Sequence, residues 1–106
     1  MVFSAMANLE ALRDYLLLMH AGAEVSPAAW PPYLAVLRAS GCFQGGSAIG
    51  EGVCLRRHGA APEPTRHLVG YIKIRAADLA HATELLVGNP VYEAGGVVEI
   101  RELPPS

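Results

Sequence analysis

The chain has 106 residues, of which 52% are hydrophobic and 17% are charged, and its formal net charge is −2. This length fits one domain with a single hydrophobic core, and the slightly acidic charge argues against nucleic acid or an anionic membrane as the main ligand. Because a typical soluble domain carries about 25% charged residues, we expect leftover apolar surface that serves as a partner interface or a pocket.

The cysteines and the apolar runs favour a cytoplasmic location. Cys42 and Cys54 have no Cys or His close by at the spacing of a zinc site, so we expect free thiols and no metal. The longest apolar run, residues 15–19, is far shorter than the roughly twenty residues of a membrane span, and the N-terminus lacks the basic start of a signal peptide. We therefore predict a cytoplasmic protein that needs no cofactor and contacts no membrane.

The first strand opens the domain. Residues 1–11 are interpreted as an N-terminal extension and residues 12–106 as a single α+β domain. The apolar run from Leu12 to His20 predicts a central strand that is covered on both faces. A turn of a buried helix is the alternative interpretation of this run.

The first helix follows a proline-rich entrance. Ser26 is expected to cap it and Pro27 to occupy its first position, so that the regular helix begins near Pro32. It ends at Gly41, because glycine adopts the left-handed conformation that closes a helix.

Two strands joined by a hairpin come next. Residues 47–57 alternate bulky apolar residues with glycine or cysteine, which predicts a strand weakened by glycine. Residues 58–64 hold the turn residues and prolines of a hairpin loop. Residues 67–75 predict the clearest strand of the chain, with one apolar and one amphipathic face. The apolar face carries Leu68, Gly70, Ile72 and Ile74.

A second helix and a fourth strand complete the pattern. Asp78 is expected to cap the helix, which ends at the turn residues 88–90. Residues 97–101 predict the last strand, which stops before Pro104. The helix buries one apolar stripe, formed by Leu79, Ala82 and Leu86.

The order strand, helix, strand, strand, helix, strand is that of the ferredoxin-like split β-α-β unit, an α+β fold. Right-handed crossovers place the first and third strands at the centre of an antiparallel four-stranded sheet, with both helices on one face. The other face mixes apolar and ionisable residues. We predict that it pairs with the same face of a second copy and forms a homodimer.

Several short motifs resemble those of YCII-related proteins, and they occur in the same order. They are residues 70–74, 77–82, 89–90 and 98–104 in the second half, and residues 15–20, Trp30 and residues 40–41 in the first. The resemblance covers most of residues 15–104 and implies a dimeric α/β barrel. A few members of the family are treated as small-molecule lyases or dehydrochlorinases, and others occur beside sigma factors or as fused modules.

Two acidic sites of that family are missing from this chain. Where one branch has a His-Asp pair at the first helix, this chain has Trp30 and Ala39, neither of which can transfer a proton. The Asp-Gly-Pro-Phe motif of a second branch is absent from the hairpin at residues 57–65. The resemblance therefore implies the fold more strongly than an enzymatic activity.

Two histidines are the candidate groups for proton transfer. His20 ends the first strand, where it can reach a cleft between sheet and helix, and Glu24 is a candidate carboxylate to orient it. Alternatively, His20 bonds to a backbone carbonyl. His67, Tyr71 and Arg75 share one strand face, where they can bind a small acid through charge-assisted hydrogen bonds or pack in the dimer interface.

Three further side chains complete the candidates. Trp30 and Tyr33 can line an apolar pocket at the helix entrance, or simply pack the loop onto the sheet. Arg56 is an alternative anion anchor to the strand arginine. His81 is expected on the solvated surface of the second helix.

Three functions fit these residues. The first hypothesis is a homodimeric binding or accessory module that holds a small organic acid. The second is a cofactor-free enzyme acting on a small aromatic or hydroxy acid, with His20 or His67 as base and Arg75 or Arg56 as anion anchor. The third is a structural domain whose exposed sheet face meets a different protein.

Overall fold

The computed structural model describes residues 12–105, which form an α+β fold around one antiparallel sheet. The extension predicted at residues 1–11 lies outside the described residues. The strands are β1 (Arg13–His20), β2 (Phe43–Ala48), β3 (Leu68–Ala76) and β4 (Val98–Leu103). Their order across the sheet is β2-β3-β1-β4, so β1 and β3 are central. This arrangement is compatible with a ferredoxin-like fold.

Helix α1 (Trp30–Ala39) follows a 3₁₀ turn at Pro27–Ala29. The predicted cap is confirmed, because the Ala28 backbone N–H donates to Oγ of Ser26. The helix begins two residues before Pro32, since prolines are tolerated in a first turn, where backbone N–H groups have no helical partner. Its ten residues make it the longest helix, and none of the helices within residues 12–105 has the length and apolar character needed to cross a membrane.

The second predicted helix is present as α2 (Leu79–Glu84), and a further short helix, α3 (Pro90–Glu93), follows the turn at which the predicted helix was expected to end. Asn89, which was expected only to end a helix, caps α3: its Oδ1 accepts hydrogen bonds from the next two N–H groups at 3.0 and 3.2 Å. Leu79 is 56% exposed instead of buried. It is the first residue of α2, and this short helix meets the core only from Ala82 onward.

The cap of α2 also explains a difference at His81. Asp78 accepts a hydrogen bond from the backbone N–H of His81 at 2.8 Å, as predicted. The same turn brings the His81 ring back to the residue before the cap, where Nδ1 accepts a hydrogen bond from the N–H of Ala77 at 3.0 Å. The ring is therefore half-buried, and the expectation of a solvated side chain is wrong.

The alternation along β1 and β3 divides their side chains between two faces of the sheet. Tyr15, Leu17 and Met19 are buried beneath the helices, on what we call the helix face. The predicted faces of β3 are confirmed, with its apolar side chains on the helix face. The helices and the turn after α2 complete this core with Tyr33, Leu37, Ala82, Leu86 and Val91. The opposite, open face carries Asp14, Leu16, Leu18, Tyr71, Lys73, Arg75, Glu99, Arg101 and Leu103.

Charges on the open face pair within the chain. Arg75 Nε donates to Asp14 Oδ1 at 3.1 Å, and Lys73 Nζ lies 4.0 Å from the other carboxylate oxygen. Glu99 accepts from Arg101 at 3.1 Å. These charges therefore have partners without a second sheet, and the homodimer through the open face stays a prediction.

The strand predicted at residues 47–57 is wrong in its extent, because β2 begins at Phe43 and ends at Ala48. Residues 49–67, which we call the arm, connect β2 to β3 without helix or strand. The returning leg of the arm, which leads back to β3, contains Pro62 and Pro64. Neither proline has a backbone N–H to donate to a strand ladder. The predicted loop at residues 58–64 is thus only the middle of a longer connection.

Close packing after α3 predicts the effect of one substitution. A Cβ at Gly96 would lie 2.7 Å from Cβ of Ala23 and 2.9 Å from the carbonyl oxygen of Val91. We expect Gly96→Ala to lower the free energy of unfolding by about 1–3 kcal/mol, as overpacking does, measured by denaturant unfolding. Gly50→Ala is the control, because nothing lies within 4 Å of a Cβ there. Equal losses in both variants would contradict the packing argument.

Candidate ligand-binding site

A cavity of about 590 Å³ lies between the helix face of the sheet and α1, near the end of β1. Sites for small molecules usually measure about 300–1,000 Å³. The larger apolar residues of its lining are Met19, Val25, Trp30, Leu34, Phe43, Val69, Ile72 and Val91. Its polar residues are His20, Arg38, Ser47 and Tyr71.

The cavity exists because three residues of the sheet beneath it are small. The register sets Gly46 beside Ile72 and Ala48 beside Gly70, so three small residues adjoin on the helix face. A Cβ at Gly46 would lie 2.6 Å from a carbonyl oxygen of β3, so the close strand contact requires glycine there. The sequence pattern did not reveal these small residues as one wall of a cavity, because it placed the start of β2 four residues too late.

Helix α1 supplies the opposite wall through residues spaced by four. Trp30, Leu34 and Arg38 recur at this interval, so they share one stripe of the helix, and all three line the cavity. Tyr33 and Leu37 form the neighbouring stripe, which is buried in the core. The two aromatic residues that were predicted together therefore have different surroundings.

Tyr33 belongs to the core, outside the cavity lining. Its side chain is 4% exposed, and its hydroxyl donates a hydrogen bond to the carbonyl oxygen of Leu85 at 2.8 Å. Burial raises the pKa of this hydroxyl above its ordinary value of 10.0, and the side chain of Asn89 opposes that shift. Tyr33 is therefore neutral at physiological pH and joins α1 to the end of α2.

The two predicted anion anchors lie away from the cavity. Arg56 is exposed in the arm, and Arg75 is on the open face. The arginine at the cavity is Arg38, whose guanidinium carbon lies 5.2 Å from the ring centroid of Phe43. Its position eight residues after Trp30 on one helix was the signal that could have identified it.

His20 borders the cavity and forms an ion pair with Glu99. The distance from His20 Nε2 to Glu99 Oε1 is 3.0 Å, and both side chains are partly exposed. The hydrogen bond with His20, and next that with Arg101, lowers the pKa of Glu99 below its ordinary value of 4.5. An ionised carboxylate can only accept, so Nε2 of His20 is the donor. Nδ1 of neutral His20 is then available to accept a proton.

The carboxylate that orients His20 is on β4, not at Glu24 as expected. Antiparallel pairing sets Glu99 opposite Leu18, two residues before His20 on β1. The two side chains are 79 positions apart in the sequence, so local spacing could not pair them. Glu24 itself is exposed in the loop after β1.

His67 lies beside His20 but not at the cavity. The two ring centroids are 5.0 Å apart and the rings meet edge to face. At about 3.3 Å per residue, Arg75 lies roughly 13 Å along β3 from Tyr71 and about 26 Å from His67, so these three cannot hold one small acid together. Tyr71 borders the cavity, although alternation directs its side chain to the open face.

Comparison of the chain with protein-family models, with curated proteins and with solved structures gave no match in any of the three. The resemblance to YCII-related proteins therefore stays a prediction from the motifs. Within residues 12–105, no group of three or more His, Cys, Asp or Glu side chains is arranged to hold a metal ion. The chemistry of the site has to be argued from the cavity and its lining.

The lowered pKa of Glu99 predicts a pH-dependent contribution to stability. Ionised Glu99 stabilises the fold above its unfolded pKa near 4.5, and this stabilisation is lost as the pH falls through the lower folded pKa. We expect Glu99→Gln to lower the thermal midpoint at neutral pH, with the difference from the wild type shrinking in acid. Glu84→Gln is the control, because Glu84 is exposed and has no ion pair in the described part of the chain. A difference that persists unchanged in acid would contradict the argument.

Proposed function

We propose that this chain is a small-molecule-binding module whose cavity holds a small organic acid with an apolar or aromatic body. The observation that carries this proposal is the composition of the lining: it is largely apolar, includes the cationic Arg38 and the polar His20, and contains no Asp or Glu among the described residues. A concave apolar site with a few polar groups is the usual form of a ligand pocket.

The positions of these groups support an acid over a neutral ligand. Trp30 and Phe43 contribute aromatic rings to the lining, which favours a ligand with an aromatic body. Arg38 can bind a carboxylate through two parallel N–H donors. Among the described residues, no acidic side chain lines the cavity to oppose a negative charge, and the Glu99 carboxylate on β4 is occupied by His20 and Arg101.

The predicted homodimer is compatible with this binding function. The cavity lies on the helix face, so a second sheet on the open face would leave it accessible. The apolar residues Tyr71 and Leu103 on the open face, each 36% exposed, support such a contact.

Ligand binding can be tested by a thermal-shift screen of small organic acids and phenols. A ligand at a hundred times its dissociation constant should add roughly 2.7 kcal/mol of stability. We expect Arg38→Gln to weaken binding of a responding acid about 10- to 100-fold, because a hydrogen bond to a charged group is lost.

Arg57→Gln is the matched control for this variant, since Arg57 is exposed in the arm and does not line the cavity. Its binding should equal that of the wild type. The proposal fails if no compound shifts the transition, or if both arginine variants lose affinity equally.

A cofactor-free enzyme is the second candidate, and the His20–Glu99 ion pair favours it. Glu99 orients the ring from Nε2 and stabilises the imidazolium, while Nδ1 has no hydrogen-bond partner among the described residues and can take a proton from a bound acid. Such a base would exchange an acidic C–H hydrogen of the ligand with solvent.

We expect exchange of deuterium from heavy water into the bound acid, followed by proton NMR. His20→Gln should abolish this exchange, and Glu99→Gln should slow it about 10²- to 10⁴-fold, with ligand affinity largely retained. His81→Gln is the control, because His81 lies outside the cavity lining. Binding without exchange in the wild type would leave the binding module as the function and exclude His20 as a base for that ligand.

A further inference from the structure

The outgoing leg of the arm has the pattern of a strand but no partner strand among residues 12–105. Residues 49–56 run without turn or bend. In the described part of the chain, the backbone groups of residues 50–66 make no hydrogen bonds to other backbone groups. The returning leg cannot supply a full ladder, because Pro62 and Pro64 interrupt its donors.

The arm also exposes large apolar side chains. Val53 is 78% exposed and Leu55 is 91% exposed, and both belong to one face of the extended segment. The radius of gyration is 16.2 Å, whereas a compact domain of this length has about 13 Å. An unpaired strand edge with apolar side chains is a template for another chain.

We propose that the arms of two copies of this chain pair as antiparallel strands about a two-fold axis at Cys54. In this register Val53 lies opposite Leu55 of the second copy, and Glu51 lies opposite Arg57. Each pair occurs twice because of the symmetry. Apolar and opposite-charge pairs across strands both stabilise an antiparallel ladder.

Neighbouring registers lack this complementarity. With Val53 on the axis, Glu51 would face Leu55, so a charge would lie against an apolar side chain. With Leu55 on the axis, Val53 would face Arg57. Only the register centred on Cys54 matches apolar with apolar and acid with base at these four positions.

The pairing uses the outer edge of the arm, which continues the free edge of β2. It leaves both the cavity and the open face uncovered. It is therefore independent of the proposed ligand-binding function and distinct from a face-to-face homodimer.

Cys54 makes the register measurable. Opposite residues of antiparallel strands have Cα atoms about 4.5–5.5 Å apart, within the range that a disulfide spans. Diamide should oxidise the two Cys54 thiols to one disulfide, being itself reduced to the hydrazine. We expect a covalent dimer of twice 11.2 kDa by intact mass under non-reducing conditions.

Three variants of the full chain control this experiment. Cys42→Ser should keep the cross-link and Cys54→Ser should lose it. Ala60→Cys in the Cys54→Ser background places an exposed thiol in the same arm but away from the axis, and it should link at least about tenfold less. Equal linking at both positions would mean random collision and would overturn the proposal.

A charge swap tests the same register without oxidation. Glu51→Arg should weaken the dimer about tenfold in sedimentation equilibrium, because two like-charge contacts replace two opposite-charge contacts. Glu51→Arg combined with Arg57→Glu should restore it. Failure of the double variant to restore association would overturn the proposal, as would a wild-type monomer at all concentrations. If these charge changes leave the dimer intact but Leu18→Glu dissociates it, the interface lies on the open face, and the proposal is overturned.

Discussion

Strand β1 pairs with β3 on one side and with β4 on the other, and the rest of the structure depends on this double pairing. Its odd-numbered residues Tyr15, Leu17 and Met19 form the floor of the core beneath the helices. Its even-numbered residues from Asp14 to Leu18 lie on the open face, where Asp14 pairs with Arg75 and Lys73 of β3. Because side chains alternate with a period of two, a shift of one residue in this pairing would exchange the two faces and place the charges in the core.

The candidate site exists because the strand residues at one end of this sheet are small. Gly46, Ala48 and Gly70 leave space on the helix face, and one stripe of α1 closes the space from above. A neighbouring stripe of the same helix is buried through Tyr33 and Leu37. The helix thus combines two tasks: it completes the core and forms the wall of a cavity. The polar residues His20 and Arg38 reach that cavity from different elements, which is how a small domain can place a cation and a proton acceptor around one ligand.

The arm shows a conflict between local pattern and available partners. Its outgoing leg alternates in the manner of a strand, whereas its returning leg contains prolines that cannot donate hydrogen bonds. A strand is stable only when its backbone groups are paired. The backbone of this segment is therefore left unpaired by the described residues, and the exposed Val53 and Leu55 mark the surface where we propose that a second copy pairs with it.

The sequence by itself determined the succession of strands and helices, the two faces of β3, and the caps at Ser26 and Asp78, because alternation, capping and turn formation act between residues close in the chain. It did not determine the limits of β2, the short helix α3 after the turn at residues 88–90, or the partner of His20. Those depend on which segments meet: Glu99 reaches His20 through strand register across 79 positions, and Arg38 becomes a cavity residue only when α1 packs over the glycines of the sheet. Only the tertiary structure decided these contacts, because register and packing are set jointly by elements that are far apart in the sequence.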